Sequence, residues 1–600
     1  RLSDGQEDRE SRVRLLELMA ENRLNLGRPE EAERFREQAR ALREEGPAEA
    51  ELPVRILLRT GQLDQTRRLL EQRAEAEQRR PVLRPRAHRE TLLLLSLTLA
   101  FQGEGEAAYR LAVEGTERGA DLNSPYVTAV GYMRQGHACL LRDDVRAYEE
   151  ACRCYRQAIA MGDRLAVPRL KVEAFWGLCR AHGFRGAIEA AEEATEQGLA
   201  LARQAGDEWV AALIRISMGA GYVLSGEYGR AIEWLTQAGT AYRECGDTFG
   251  ETVARLWQCL VWWEEGDEAR LERGLEDLLH LVRHHRYGYL FHRQTLLGPE
   301  DPRRLVPLLL FARDRGIERV YAETVLTRLG LEQLEIHPGY QLRIQTLGPF
   351  RAWRGITEVT AQEWRREKAR QLFQLFLTWR GKMMDRDRIV EILWPDLDPE
   401  TAYRDFKVAL STLYRVLEPD RGRGAPSAYV VRDRSLYGLR PGADLWLDAT
   451  ELEQLVAEGD RFFDQHPAQG ICHYRRAIAL YQGDYLEDCL YEEWASEERE
   501  RLLTLYLRTA DRLARTLVDQ GAWEEAIEVC RSILTRDDCW EQAYRLMMVS
   551  YVRLGNRAQA LRAYQRCTER LQEGLLIEPS QMTVELYESL LASPEGPAGD

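Results

Sequence analysis

Residues 399–417 read PETAYRDFKVALSTLYRVL, and their periodicity predicts a short helix with two unlike faces. At 100° per residue, Phe406, Leu410, Leu413 and Leu417 fall together, on a face that must meet a core. Thr401, Arg404, Val408, Ser411, Thr412 and Arg415 fall opposite, flanked by Lys407 and Tyr414. That second face carries no acid, although Asp405 lies near its edge. The chain around it is acidic, with 98 Asp and Glu against 83 Lys and Arg and a net charge of −15. Residues 341–440 reverse the balance, with 19 Lys and Arg against 13 Asp and Glu. A basic island in an acidic chain is where a polyanion docks most favourably.

The neighbours of this helix read as a compact α/β unit. Upstream, LRIQTLGPFRAWRG (342–355) alternates apolar and polar residues around Gly348-Pro349 and Gly355, which predicts short strands. REKARQLFQLFLTWRG (366–381) and DRDRIVEILWPD (385–396) predict two amphipathic helices. Downstream, a Gly/Arg loop (DRGRGAP, 420–426) leads to AYVVRDRSLYGLR, two β runs around Asp433-Arg434-Ser435. Strands, three helices and a β-hairpin make a winged helix with an N-terminal sheet and a hairpin wing.

Further out, the sequence repeats. SMGAGYVLSGEYGRAIEWLTQAGTAYRECGD (217–247) sets a small/aromatic helix, a Gly turn and an Ala-centred amphipathic helix in succession. Similar turns are expected at Gly27, Gly61, Gly103, Asp143, Gly183, Gly226 and Gly266, at intervals of 34, 42, 40, 40, 43 and 40. Glycine or aspartate permits the turn, and small residues such as Ala231 mark close helix approaches. This pattern resembles tetratricopeptide repeats, with the longer intervals resembling the sensor domains of signal-transducing ATPase regulators. Residues 300–340 predict further helices, ending at Pro338-Gly339.

With these motifs in place, residues 341–442 resemble the winged-helix domain of SARP-type (antibiotic regulatory protein) activators, through LGPFRAWRG, REKARQLFQLFL, DRDRIVEILWPD, PETAYRDFKVALSTLYRVLEPD and YVV…YGLRP. Residues 445–590 resemble the bacterial transcriptional activator domain, through AIALYQGDYLEDCLYEEWASEERERL, repeats at Gly521 and Gly555, and LLIEPSQMTVELYESL. The resemblance implies a DNA-binding transcription regulator, with helix 399–417 in the major groove. Arg404, Ser411, Thr412 and Arg415 would reach base edges or phosphates, with Lys407 and Tyr414 beside them. Thr401 and the helix start would suit a phosphate. Arg432 and Arg434 would meet the minor groove or backbone, and Arg365, Arg366, Lys368 and Arg370 the backbone. The implied partners are promoter DNA, RNA polymerase, a small-molecule or protein signal on the solenoid, and further copies of the chain.

The resulting expectation is mainly α: a solenoid over 1–300, a helical connector over 301–340, a winged helix over 341–442, an activator domain of helical repeats over 443–592 and a flexible tail over 593–600. The chain departs from the family pattern at Tyr403, Thr412 and Tyr414, where basic residues are common. That keeps open an interaction scaffold whose winged helix does not bind DNA.

Other signals point to bland roles. No apolar run is long enough to cross a membrane, and the eleven scattered cysteines suit reduced thiols in a cytoplasm. His280, His284, His285 and His292 cluster without HExxH or a convergent carboxylate set, so no metal is expected. The glycines of GAGYVLSG (219–226) follow no strand and suit helix packing better than phosphate, and Trp257, Trp262 and Trp263 suit a repeat core. No cofactor is expected, nor any nucleophile–base set of an enzyme. No G-x-x-x-x-G-K-[ST] occurs, so an NTPase module would lie upstream of Arg1, which is not a Met and suggests a processed or shortened chain.

Overall fold

The computed structural model describes residues 2–42, 51–79, 91–142, 146–463 and 465–592. The expected turn at Asp143 and the tail 593–600 lie outside them. The fold is mainly α and divides into two compact units, Arg1–Gly339 and Tyr340–Asp600.

The first unit is a tetratricopeptide-like solenoid of antiparallel helix pairs, such as Pro168–Phe184 with Ile188–Ala205 and Glu208–Leu224 with Tyr228–Glu244. Left-handed backbone recurs every 20 residues at Ala166, Gly186, Gly206, Gly226, Gly246, Gly266 and Arg286. Each such residue ends one helix and lets the next reverse. The turn expected at Gly183 falls at Gly186, where φ is 73°. Gly183 lies within helix Pro168–Phe184, and a Cβ there would sit 3.2 Å from the Cα of Gly221. The GAGYVLSG glycines therefore serve helix contact, Gly221 against Gly183 and Gly219 against Leu235. Trp257 and Trp262 are buried in the core, whereas Trp263 is partly exposed against Phe311.

The solenoid closes on itself. The hydroxyl of Tyr287 donates to the carbonyl of Gly61 at 2.8 Å, and Arg59 pairs with Asp207 at 2.9 Å. A non-helical stretch then crosses the inner helices: Leu296 N–H donates to the Ala100 carbonyl, and Arg180 and Trp257 donate to the carbonyls of Thr295 and Leu297. Leu305, Leu308, Leu326 and Leu334 join the same core, so residues 301–339 pack as part of the solenoid unit.

The second unit begins with a four-stranded sheet, ordered Thr357–Glu358, Arg351–Arg354, Leu342–Gln345, Leu445–Leu447, the last pair parallel. Helices Glu367–Thr378, Arg386–Leu393 and Pro399–Leu417 follow, then the hairpin Val430–Asp433/Leu436–Leu439. Met384–Asp385 adds a third strand to the hairpin. Among the described residues seven α-helices follow, from Asp448–Phe463 to Gln581–Ala592, with turns at Gly521 and Gly555 at φ 77° and 73°.

The sheet is completed from beyond the winged helix. Strand Leu445–Leu447 lies past residue 442, and the carboxylate of Asp448 at its end accepts from the backbone N–H groups of Thr346 and Leu347 and from the Thr346 hydroxyl, each at 2.7 Å. Burial raises the Asp448 carboxyl above its ordinary range despite these donors. The winged helix and the C-terminal helices thus share one buried polar joint.

Candidate nucleic-acid interface

Helix Pro399–Leu417 is held at both ends and along one side. Asp398 caps its start, accepting from the N–H groups of Glu400 and Thr401 at 3.1 and 3.0 Å. At its end Arg354 donates to the Val416 carbonyl and Tyr340 to the Leu417 carbonyl, each at 2.7 Å. These are carbonyls that a helix end leaves without partners. The hairpin is fixed beside it by Tyr437, edge-on to Phe406 at 5.1 Å. The wing tip is tied back by Ser435, whose hydroxyl donates to Asp385 at 2.6 Å.

The buried side comprises Ala402, Phe406, Ala409, Thr412, Leu413, Val416 and Leu417. This arc is turned by about 50° from the expected one at 100° per residue. Leu410 moves to its edge and Thr412 moves inside. The cause is that helix and hairpin neighbours grip the helix from two directions, so small Ala409 and Val416 face inward. Thr412 is 7% exposed, so it lies inside the fold and not on the exposed face where it was expected. Tyr414 is half-buried under the Arg421 guanidinium at 4.5 Å, and burial raises its hydroxyl pKa.

The exposed arc holds Arg404, Lys407, Ser411 and Arg415. None of its three cations has an ion pair among the described residues. Lys407 lies 4.2 Å from the ring of Tyr403, and Arg386 lies 4.5 Å from it on the preceding helix. Slight burial raises the Tyr403 hydroxyl, but the Arg386 hydrogen bond and the Lys407 charge outweigh it and leave the pKa lowered. The helix start is a second correction. Its free N–H groups are occupied by Asp398, Thr401 is half-buried against that cap, and Glu400 is exposed beside it. A phosphate would meet two carboxylates there, so the cationic surface begins one turn later, at Arg404.

The other expected contacts divide. Arg432 and Arg434 are exposed on the hairpin, with Arg434 at φ 55° in the turn and the Arg432 Nε donating to its carbonyl at 3.0 Å. Arg432 also covers Tyr437 at 5.5 Å, and its charge acts on Tyr414, so wing and helix share one basic edge. Arg365 and Arg366 are exposed without ion pairs among the described residues, while Lys368 is half-buried with its ammonium 5.9 Å over Trp394. Arg370 pairs with Glu367 at 2.9 Å and with Asp488 at 3.2 Å, so it joins the two halves of the second unit rather than facing solvent. Sequence reasoning did not single out three further arginines near this surface: Arg386, paired with Asp387 at 2.7 Å, Arg421 over Tyr414, and the exposed Arg423. The DRGRGAP loop carried a signal for the last two, but helix periodicity says nothing of a loop that folds beside a helix.

Residues 447–591 match the family described as the bacterial transcriptional activator domain. The regulatory protein AfsR of Streptomyces griseus is 26% identical over 255 residues, covering 42% of this chain and 25% of AfsR. The regulatory protein DnrI of Streptomyces peucetius is 24% identical over 263 residues, covering 42% of this chain and 94% of DnrI. The chain thus spans about a quarter of the length of AfsR. A structure of Mycobacterium tuberculosis EmbR in complex with a low-affinity phosphopeptide aligns with 42% of this chain and 65% of its own, at 18% identity and a TM-score of 0.36. The chain carries a bacterial transcriptional activator domain and resembles the SARP-type regulators.

Proposed function

We propose that this chain is a transcription regulator that binds promoter DNA through helix Pro399–Leu417. The observation that carries this reading is the exposed arc Arg404–Lys407–Ser411–Arg415, whose cations have no acid partners among the described residues. Arg404 and Arg415 enter the major groove, where a guanidinium pairs with guanine O6 and N7. Arg432 and Arg434 on the wing, with Arg365, Arg366 and Arg423, contact phosphates and set the register. The activator domain supports contact with RNA polymerase and side-by-side copies of the chain on repeated sites. The solenoid receives a signal, and regulation is a shift in how available the DNA-binding unit is. These roles place the chain in a cytoplasm. That the relatives are named regulatory proteins supports the reading.

The test is selection from a pool of random duplexes by the full chain at several salt concentrations. Enrichment of one motif supports a sequence-specific regulator. Failure to retain any duplex at low salt turns the reading to an interaction scaffold.

A further inference from the structure

Where the solenoid closes, helices Leu63–Arg79, Glu268–His285 and Arg319–Arg328 surround a cavity of about 450 Å³. Its walls carry Arg67, Arg283, Arg286, Arg293 and Arg328 against only two acids, Asp64 and Glu104. Glu104 is already engaged, accepting from Arg67 at 2.6 Å and from Arg293 at 3.0 Å. Burial pushes the Glu104 carboxyl up, but these two guanidiniums overcome it and hold it below its usual range. Arg283 pairs with Glu318 outside the cavity at 2.8 Å. Arg286 and Arg328 have no ion pair among the described residues. Asp64 is met only by the neutral Gln102 amide, so the walls keep two unpaired guanidiniums, Arg286 and Arg328, against one unpaired carboxylate.

Two buried polar atoms on its walls also go without partners. The Tyr289 hydroxyl is buried and makes no hydrogen bond. Gln102 is 4% exposed, and its amide nitrogen donates to Asp64 at 2.9 Å. That bond fixes the amide orientation, so the unpartnered atom is the acceptor Oε1. Buried polar groups are rarely left so, and each calls for a water, an ion or a ligand atom as its partner. Tyr289 offers a donor for an oxyanion. Gln102 requires a donor, which a bare anion lacks and a hydroxyl supplies.

We propose that this cavity binds a small hydroxyl-bearing phosphate ester, such as a sugar phosphate or a nucleotide. The phosphate sits between Arg286 and Arg328 and accepts from Tyr289, while a ligand hydroxyl donates to Gln102. The volume suits a ligand of this size. A larger cleft of about 910 Å³ shares the wall residues Asp64 and Arg286 and leaves room for a bulkier remainder. The inference deepens the reading of the solenoid as the signal-receiving region, but its test involves no DNA and its outcome is separable from that reading.

The experiment is calorimetric titration of the full chain with ribose 5-phosphate, inorganic phosphate and ribose. Ribose 5-phosphate is expected to bind at least about tenfold more tightly than inorganic phosphate, with ribose silent. Arg328→Glu, on an exposed position, and Arg286→Gly, which keeps the left-handed backbone, are each expected to weaken binding about tenfold or more. Unchanged melting curves confirm that both variants fold. No binding of ribose 5-phosphate at millimolar concentration overturns the proposal. So do equal affinities for ester and inorganic phosphate, or binding that survives both substitutions.

Discussion

The two units treat their charged side chains in opposite ways. In the solenoid, Arg59 is 6% exposed and locked on Asp207, itself 3% exposed. On helix Pro399–Leu417, Arg404, Lys407 and Arg415 stand in solvent with no acid to meet them among the described residues. Arginine content therefore says little about function, and pairing says much. A buried pair serves internal structure, whereas an unpaired surface cation remains available to a phosphate. The contrast also runs inside the second unit, where Arg351, Arg354, Arg380 and Arg388 are all paired with glutamates.

The solenoid side of this comparison is sharpened most by pH. Asp207 and Asp247 hold equivalent positions 40 residues apart, each capping the start of a helix and each buried. Burial pushes both carboxyls up. Arg59 and Arg169 overcome it at Asp207, leaving that group lowered, while Asp247 has only N–H donors and is pushed up to about 7. A raised acid favours the protonated folded state, so the Asp247 contribution is full below pH about 4 and is lost as pH rises through about 7. The Asp207 contribution runs the other way and is lost only in stronger acid. Stability of the solenoid is expected to fall by up to about 4 kcal/mol between pH 4 and pH 8 through Asp247. Asp247→Asn keeps a capping oxygen and is expected to flatten that slope in denaturant titrations; an unchanged slope would mean that other groups set it.

In the second unit the largest effect is expected at the buried joint. Asp448→Ala leaves the N–H groups of Thr346 and Leu347 without an acceptor and should cost roughly 3 kcal/mol of unfolding free energy. Loss of stability in the winged helix and the C-terminal helices together, measured by hydrogen exchange, would mark them as one cooperative body; loss in one alone would separate them.

Smaller effects test the DNA-facing helix. Thr412→Val changes a buried side chain, and DNA affinity is expected to stay within about twofold. A larger loss would return Thr412 to the contact surface. Glu400→Gln removes an exposed acid from the first turn and is expected to raise affinity about two- to threefold at low salt. A fall would show that Glu400 serves the helix more than it repels DNA.

Much of the fold was legible because periodicity and turns report local geometry. The helix pairs, the winged helix and the hairpin turn at Asp433-Arg434-Ser435 could all be read. Strand Leu445–Leu447 could not, since three residues carry no period and its partner lies about a hundred residues upstream. The turn at Gly186 was displaced to Gly183 because two glycines competed and only tertiary contact with Gly221 decides between them. At the candidate site, the exposure of Arg404, Lys407, Ser411 and Arg415 followed from the helix period. The burial of Thr412 did not, because it depends on neighbours approaching from two directions. Nor did the acidic cap at Asp398 and Glu400, although both residues were in plain view in the sequence.

The central claim is that the unpaired cations of helix Pro399–Leu417 meet DNA. It is tested most directly by the salt dependence of binding to a selected duplex, for the natural chain and for Arg404→Ala/Arg415→Ala. If both guanidiniums lie on phosphates, the slope of log affinity against log salt falls by about 1.8. If either reads a base, affinity also falls, by about 1–3 kcal/mol, with relaxed preference at that base. Binding with unchanged slope, affinity and sequence preference would contradict the claim.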